Sequence, residues 1–155
     1  MISLETDVKK LTYFLSNISG ESDVFPPIIV KNPARFAEML ILYGKAITSV
    51  KQGELDGIIG YFPSRNILRV DLLWTAPQRI YSSPLYPLLN HTVRSEWNFH
   101  GKIEITVEKV KKGVIEMLTG IGFELKKEDK FQNDIGKNYL ILENNFGSLK
   151  KYFPQ

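Results

Sequence analysis

The spacing of apolar residues changes several times along the chain, and each change marks a predicted element. A short strand is predicted over residues 1–5, and apolar residues three or four positions apart then predict an amphipathic helix over 6–18. Asn32 followed by Pro33 is typical of a helix N-terminus, because Asn caps the first turn and Pro needs no N–H there. We expect this second helix to end at Gly44.

The centre of the chain has the composition of β-strands. Three runs rich in Ile, Val, Leu, Tyr and Phe are separated by turns of two to four residues: Ala46–Lys51, Glu54–Phe62 and Ile67–Thr75. Turns this short connect only antiparallel neighbours, so the sequence predicts a three-stranded meander. In its third strand, simple alternation puts Leu68, Val70 and Leu72 on one face and Arg69, Asp71 and Leu73 on the other.

In the second half of the chain, segments with apolar residues three or four positions apart alternate with segments in which every second residue is apolar. It predicts a helix over 83–98, a strand Lys102–Val107, a helix ending near Gly120 or Gly122, and two strands, Phe123–Lys127 and Lys137–Glu143. The predicted order is β-α-α-β-β-β-α-β-α-β-β, an α/β (α+β) fold with a mixed sheet in one domain, 1–155. The helix over 83–98 requires a parallel pair between the strands that flank it.

Composition excludes several classes of protein. The chain has 155 residues, 43% of them apolar, and no cysteine, which excludes disulfide scaffolds and thiolate metal sites. No apolar run is long enough for a bilayer, and the N-terminus lacks the order of a secretory signal, so we expect a cytoplasmic protein that does not contact a membrane. His91 and His100 are isolated from other ligands, and no metal is expected.

The net charge of +3 is spread along the chain. A dedicated nucleic-acid binder concentrates its charge on one element, so a nucleic-acid partner is not expected. Short lysine clusters, such as the one that includes Lys111, are consistent either with a solvated surface of mixed sign or with a small ligand that carries phosphates.

Two segments occupy characteristic places in this element order. Leu73–Pro77 ends a strand just before a helix, and Leu118–Glu124 carries a Gly-Phe pair directly after another helix. With this order and both segments, the chain resembles the GNAT-type N-acyltransferases from its first strand to about Glu143. The resemblance implies that acetyl-CoA or another acyl-CoA is the co-substrate.

In that family the fourth and fifth strands diverge, and the pantetheine arm of the acyl-CoA lies between them. The resemblance therefore implies that backbone groups of Leu73, Trp74 and Thr75 bind the arm. A loop at the start of the next helix holds the pyrophosphate in the family, through backbone N–H groups and the helix dipole. The corresponding residues here are Arg79, Ile80, Tyr81, Ser82, Ser83 and Leu85.

The loop of this chain departs from the family pattern. Neither alignment register places a glycine where the family has one, and Pro84 and Pro87 have no N–H to donate. Arg79, Ser82 and Ser83 can supply side-chain donors instead, since a guanidinium suits phosphate well. Two interpretations stay open, a phosphate site built on side chains or a helix start that Pro84 and the serines only cap.

The catalytic positions also differ from the family. Many relatives have an Asn after the fifth strand and a Tyr that protonates the CoA thiolate, and the matching residues here are Lys111 and Leu118. We expect Lys111 to contact a phosphate. A base is needed to accept the proton of the attacking amine, and the polar candidates on the central strands are Tyr61, Asp71 and Glu54. Glu54 begins a strand and is expected to face solvent, so Tyr61 and Asp71 are the predicted catalytic residues.

The first functional hypothesis is an acyl-CoA-dependent N-acyltransferase, with an unidentified amine on a small molecule or a peptide as acceptor. The alternative is a catalytically inactive GNAT-fold module that serves binding or regulation, with or without CoA. Aromatic residues in the tail after Asn144 indicate packing against the domain or against a second subunit, which leaves a homodimer open.

Overall fold

A computed structural model describes residues 1–19, 32–76, 83–130 and 138–154. Within these residues it contains the predicted elements in the predicted order, with one additional short helix near the C-terminus. The strands are β1 (Ile2–Glu5), β2 (Lys45–Lys51), β3 (Glu54–Pro63), β4 (Ile67–Thr75), β5 (Lys102–Glu108), β6 (Glu124–Lys130) and β7 (Asn138–Asn145). The helices are α1 (Val8–Ser19), α2 (Pro33–Tyr43), α3 (Leu85–Ser95), α4 (Lys112–Gly120) and α5 (Phe146–Leu149), followed by a 3₁₀ turn, Lys150–Tyr152.

All seven strands join one mixed sheet in the order β1-β2-β3-β4-β5-β7-β6. The antiparallel meander β2-β3-β4 is confirmed, and so is the parallel pair of β4 with β5. β7 lies between β5 and β6 and is antiparallel to both. The mixed α/β architecture predicted from the periodicity is therefore correct.

The two faces of the sheet bury two separate apolar clusters. Neighbouring residues of one strand belong to different clusters, as Ile58 and Ile59 show, because successive side chains of a strand point to opposite faces. One cluster packs the sheet against α3, α4 and α5. The other packs it against α1 and α2.

Both ends of α2 and the end of α4 follow the capping rules that the sequence predicted. The side-chain oxygen of Asn32 accepts a hydrogen bond from the Arg35 N–H at 3.1 Å, and Gly44 ends α2. At the end of α4, Gly122 has a φ of +99°, and the N–H of Phe123 reaches back to the carbonyl of Leu118 at 3.0 Å. This is a Schellman motif, and glycine suits its left-handed position. None of the described helices is both long and apolar enough to cross a bilayer.

The prediction that the apolar residues of β4 share one face is wrong beyond Val70. Val70 pairs with Tyr61 and Leu72 pairs with Gly60, so Asp71 is the extra residue of a β-bulge. Because of this extra residue, the side chains beyond it point to the opposite face from the one that simple alternation predicts. Leu68 and Val70 consequently lie in the cluster beneath α3, whereas Leu72 and Trp74 lie in the cluster beneath α1 and α2.

Candidate functional site

The parallel strands β4 and β5 pair over only part of their length. Their register runs from Ile67 opposite Lys102 to Val70 opposite Ile105, and stops there. β4 continues for five more residues, to Thr75, and β5 for three more, to Glu108. The pairing stops directly before the bulge at Asp71, and a bulge bends the strand that carries it. A gap therefore opens between the two strands at their carboxyl ends.

A cavity of about 50 Å³ occupies this gap, and we call it the cleft. It brings together Leu73, Trp74, Thr75 and Lys111, four of the residues that the family resemblance assigned to the cofactor. The other residues that line it are Thr106, Val107, Glu108 and Val114. The placement of these four residues agrees with the expectation, and their role in binding stays a prediction.

The cleft suits a thin, extended chain better than a bulky ligand. Its volume is enough for about four water-sized groups. Beyond Val70, β4 makes no backbone hydrogen bonds to β5. The peptide groups of β4 on that side can therefore pair with the amides of a bound chain. Lys111, which is exposed, places a positive charge at the same site. The cleft is therefore large enough for a short segment of an extended chain, with a positive charge beside it.

The segment assigned to the pyrophosphate is only partly described. Arg79, Ile80, Tyr81 and Ser82 lie outside the described residues. Ser83 is exposed, and its hydroxyl accepts a hydrogen bond from the Leu85 N–H at 3.3 Å. The side chain of Leu85 is buried in the cluster beneath α3. In this structure the Leu85 N–H is thus already bonded to a protein group.

The first turn of α3 offers few other backbone donors. Pro87 has no N–H, and the N–H of Leu88 bonds to the carbonyl of Pro84 at 2.9 Å. Together with Leu85, three of the first four positions of α3 therefore present no unbonded N–H to a phosphate. Phosphate binding at this helix would depend on side chains or on a change in this turn.

The start of α3 packs against β3 and leaves the cleft open. A Cβ on Gly57 would lie 2.7 Å from Cγ of Pro84 and 3.0 Å from Cδ1 of Leu88. This close approach places the helix over β3, and no described residue of α3 lines the cleft.

Tyr61, one of the two predicted catalytic residues, is completely buried beneath α3. Its hydroxyl donates to Oε2 of Glu96 at 3.1 Å, and the same oxygen accepts from Nζ of Lys45 at 2.6 Å. Tyr61 pairs with Val70, where β4 and β5 are still joined, and it does not line the cleft. Burial and the Glu96 carboxylate raise the pKa of this hydroxyl far above its usual value. These surroundings are typical of a packing residue, and its catalytic role stays an untested prediction.

Asp71, the other predicted catalytic residue, is the bulge residue where the two strands separate. Its carboxylate accepts two hydrogen bonds from Nε of Arg69, at 2.9 and 3.1 Å. Burial raises the pKa of Asp71, the Arg69 charge opposes that rise, and Glu104 adds to it. Its described contribution is the bulge itself, and a direct role in the reaction stays a prediction.

The position at which the family has a proton-donating Tyr is occupied by a core residue. Leu118 is completely buried and contributes its carbonyl to the Schellman motif of α4. Among the described residues that line the cleft there is no Tyr, His or Cys. Their polar side chains belong to Thr75, Thr106, Glu108 and Lys111.

Glu108, the acidic residue among those that line the cleft, was not predicted from the sequence. Glu108 is 7% exposed, at the end of β5, and pairs with Tyr139 of β7. A Glu at the end of a strand resembles a surface residue in sequence. What places it at the cleft is the early end of the β4–β5 ladder, which the chain pattern does not reveal.

A second buried carboxylate was also missed. Asp56 is completely buried at the bulge between β2 and β3, and Nζ of Lys51 lies 3.6 Å from its Oδ2. Its carbonyl accepts a hydrogen bond from the N–H of Ala76 at 2.8 Å. Asp56 thereby ties the residue after Thr75, at the end of β4, to the start of β3.

Comparison with known proteins identifies the fold. No protein-family model and no curated protein sequence matches the chain. The ribosomal-protein-alanine N-acetyltransferase from Brucella melitensis matches with a TM-score of 0.68 and 15% identity, covering 94% of this chain and 99% of the other. The aminoglycoside 6'-N-acetyltransferase from Enterococcus faecium matches with a TM-score of 0.67 and 15% identity, covering 94% and 97%. An aminoglycoside 6'-N-acetyltransferase complexed with coenzyme A matches with a TM-score of 0.64 and 14% identity, again covering 94% and 97%. The resemblance seen in the sequence is thus confirmed at the level of architecture, and the chain has the GNAT fold.

Proposed function

We propose that the protein is an acyl-CoA-dependent N-acyltransferase that transfers an acetyl or similar acyl group to an amine on a small molecule or a peptide, in the cytoplasm. The observation that carries this proposal is the separation of β4 and β5 after Val70, with Leu73, Trp74, Thr75 and Lys111 around the gap. A neighbour with the same fold was solved with coenzyme A, which supports the choice of co-substrate.

The proposed chemistry uses the residues of the cleft. The acyl-CoA supplies the acyl group as a thioester, and its sulfur leaves as a thiolate because a thiol is a stronger acid than an alcohol or an amine. The acceptor reacts as the neutral amine. Its nitrogen forms a bond to the acyl carbon, the carbon–sulfur bond breaks, and the electron pair stays on sulfur. The proton lost by the nitrogen passes to the carboxylate of Glu108, directly or through a water. Backbone N–H groups of β4 hold the acyl oxygen, and Lys111 holds a phosphate.

Calorimetry with acetyl-CoA tests the binding part of the proposal. Saturable binding is expected, and Lys111→Ala should weaken it about tenfold, because a hydrogen bond to a charged group contributes about 1.5–3 kcal/mol. Lys112→Ala is the matched control, since Lys112 is the exposed neighbour and does not line the cleft. Equal effects of the two substitutions would contradict the role of Lys111.

The same measurement on Arg79→Ala separates the two interpretations of the loop before α3. A loss of about tenfold in affinity is expected if the guanidinium holds a phosphate. An unchanged affinity would remove Arg79 from the site and favour the view that the segment only starts the helix.

Release of free thiol from acetyl-CoA in the presence of an amine panel tests the transfer. Glu108→Gln should lower kcat by about a hundredfold while the affinity for acetyl-CoA stays within about twofold, because only the proton acceptor is lost. Glu116→Gln, an exposed acid on α4, should leave both unchanged.

The alternative is a GNAT-fold module that has lost catalysis, and one observation favours it. Leu118 cannot protonate a leaving thiolate, and no Tyr, His or Cys is found among the described residues that line the cleft. Such a module would bind CoA but release no thiol with any amine. Thermal stabilisation by acetyl-CoA without turnover would therefore decide for the alternative.

A further inference from the structure

A buried tyrosine lies next to the acidic residue of the cleft. Tyr139 of β7 is the register partner of Glu108 of β5. Residues directly opposite in an antiparallel pair carry their side chains on the same face of the sheet, with Cβ atoms about 4.5–5.5 Å apart. Glu108 lines the cleft and Tyr139 does not. Tyr139 is therefore a neighbour of the cleft lining and not part of it.

Both side chains lie on the face of the sheet that is turned away from α3 and α4. Their chain neighbours Val107 and Leu140 contact the cluster beneath α3. Because successive side chains of a strand point to opposite faces, Glu108 and Tyr139 point to the other face. The apolar cluster on that face includes no described residue of β5, β6 or β7. Tyr139 is thus a buried aromatic residue outside both apolar clusters.

The polar groups of both side chains are withdrawn from water. Tyr139 is 2% exposed and Glu108 is 7% exposed. A buried tyrosine hydroxyl usually has a hydrogen-bond partner, and burial of a carboxylate is costly unless donors reach it. A hydroxyl that donates to the carboxylate across the β5–β7 pair meets both requirements.

The backbone holds the two residues side by side. The β5–β7 register is unbroken from Lys102 opposite Asn145 to Glu108 opposite Tyr139. One residue further, the N–H of Lys109 donates to the carbonyl of Asn138 at 3.0 Å, so the contact between the strands continues past Glu108. On the side of β4 the strand pairing stops at Ile105, before Glu108 is reached. Glu108 is therefore supported by β7 on one side and borders the open cleft on the other.

We propose that Tyr139 is a positioning residue for Glu108, and that its hydroxyl donates to the carboxylate and orients it toward the acceptor amine. This inference rests on the proposed function, in which Glu108 accepts the proton of the amine. The hydrogen bond uses one carboxylate oxygen and leaves the other to take that proton. Tyr139 keeps its own proton throughout, so it acts only through Glu108.

Thiol release from acetyl-CoA with an amine that the protein accepts measures the effect on turnover. Tyr139→Phe keeps the ring and removes the hydroxyl. It should lower kcat about tenfold and leave KM for acetyl-CoA within about twofold, because the oriented base acts only in the transfer step. Tyr152→Phe is the control, since Tyr152 is exposed, and it should leave kcat unchanged. Full activity of Tyr139→Phe would overturn the inference.

The double variant shows whether Tyr139 acts through Glu108. In the Glu108→Gln protein, Tyr139→Phe should cause no further loss of kcat, because residues that act as a unit are not additive. If the two losses multiply, Tyr139 acts independently of Glu108, and its positioning role is wrong.

A double-mutant cycle in stability tests the contact without turnover. Chemical denaturation of Tyr139→Phe, Glu108→Met and the double variant should give a coupling of at least about threefold in the unfolding equilibrium constant. On the other side of β7, Asp129 of β6 is the register partner of Tyr139, so the cycle with Asp129→Asn is the matched control. Coupling of Tyr139 to Asp129 and not to Glu108 would overturn the inference.

The two kinds of measurement separate failure of this inference from failure of the proposed function. Turnover by the wild type, with no coupling between Tyr139 and Glu108, preserves the proposed function and overturns the role of Tyr139. Lack of thiol release with every amine contradicts the proposed function, and with it the positioning role, whatever coupling the cycle gives.

Discussion

At the scale of single residues, Tyr61 combines complete burial with a charged neighbour. Its hydroxyl donates to Glu96, whose carboxylate also holds Lys45, so a polar network closes beneath α3. Ionised Tyr61 would place a second negative charge beside Glu96 in the core. This is why its pKa is raised, first by burial and then by Glu96.

The raised pKa predicts how stability depends on pH. In the unfolded chain Tyr61 loses its proton near pH 10, as an ordinary tyrosine does, whereas in the folded protein it keeps the proton. Above about pH 10 the unfolded state therefore binds fewer protons than the folded state, and stability falls as pH rises. Tyr61→Phe should remove this contribution, making the slope of the unfolding free energy shallower by up to about 1.4 kcal/mol per pH unit.

Denaturant unfolding at a series of alkaline pH values measures this slope. The two proteins differ only at Tyr61, so the difference between their slopes reports on Tyr61 and its contact with Glu96. Tyr152→Phe is the control, because Tyr152 is exposed. Parallel slopes for wild type and Tyr61→Phe would show that Tyr61 ionises in the folded state.

At the scale of elements, the close approach of α3 to β3 depends on Gly57. A Cβ there meets the ring of Pro84 at 2.7 Å, so one of the two elements must shift. Gly57→Ala is expected to destabilise the protein by about 1–3 kcal/mol, as overpacking of a core does. In α4, nothing lies within 4 Å of a Cβ built on Gly113, so Gly113→Ala should be neutral or stabilise by up to about 1 kcal/mol. Thermal melts of the pair test this, and a Gly57→Ala protein as stable as wild type would contradict it.

The end of α4 provides a second element-scale prediction. Gly122 has a φ of +99°, and a Cβ there would lie 3.2 Å from Nδ2 of Asn144, whose amide donates to the carbonyl of Ile121. Gly122→Ala should cost about 1–2 kcal/mol of stability, because an L-residue is strained in this conformation. Gly120→Ala, in open space within the helix, should cost nothing. Equal melting temperatures for the two variants would contradict the role assigned to Gly122.

At the scale of the whole molecule, the C-terminal segment completes the core. Phe146, Leu149 and Phe153 belong to the cluster beneath α3, and the ring of Phe99 meets that of Phe146 edge-on at 5.3 Å. Packing of the tail against the domain is thus confirmed. Whether a second subunit also forms part of the assembly stays a prediction.

Phe146→Ala should destabilise the molecule by about 3–5 kcal/mol, since the side chain is completely buried and leaves a cavity. Tyr152 is exposed and lies six residues after Phe146, so Tyr152→Ala is the control and should change stability by less than about 0.5 kcal/mol. Chemical denaturation measures both free energies. A small loss for Phe146→Ala would mean that the tail is an appendage and not part of the core.

The sequence by itself determined the order of the elements and most helix ends. Periodicity and capping are local properties, so Asn32, Gly44 and Gly122 could be interpreted without any knowledge of the fold. Their predicted places agree with the structure to within a few residues. Leu73, Trp74, Thr75 and Lys111 could be named in advance because the family resemblance assigned the end of β4 and a position after β5 to the cofactor, and their role in binding stays a prediction.

Only the tertiary structure decided how the strands of the site are related. The bulge at Asp71 depends on pairing with β3, and the same pairing sends Val70 and Trp74 to opposite faces. Glu108 reaches the cleft only because the β4–β5 ladder ends early. These features arise from contacts between residues far apart in the chain. The alternation of apolar and polar residues within one strand does not predict the register in which that strand pairs with its neighbour.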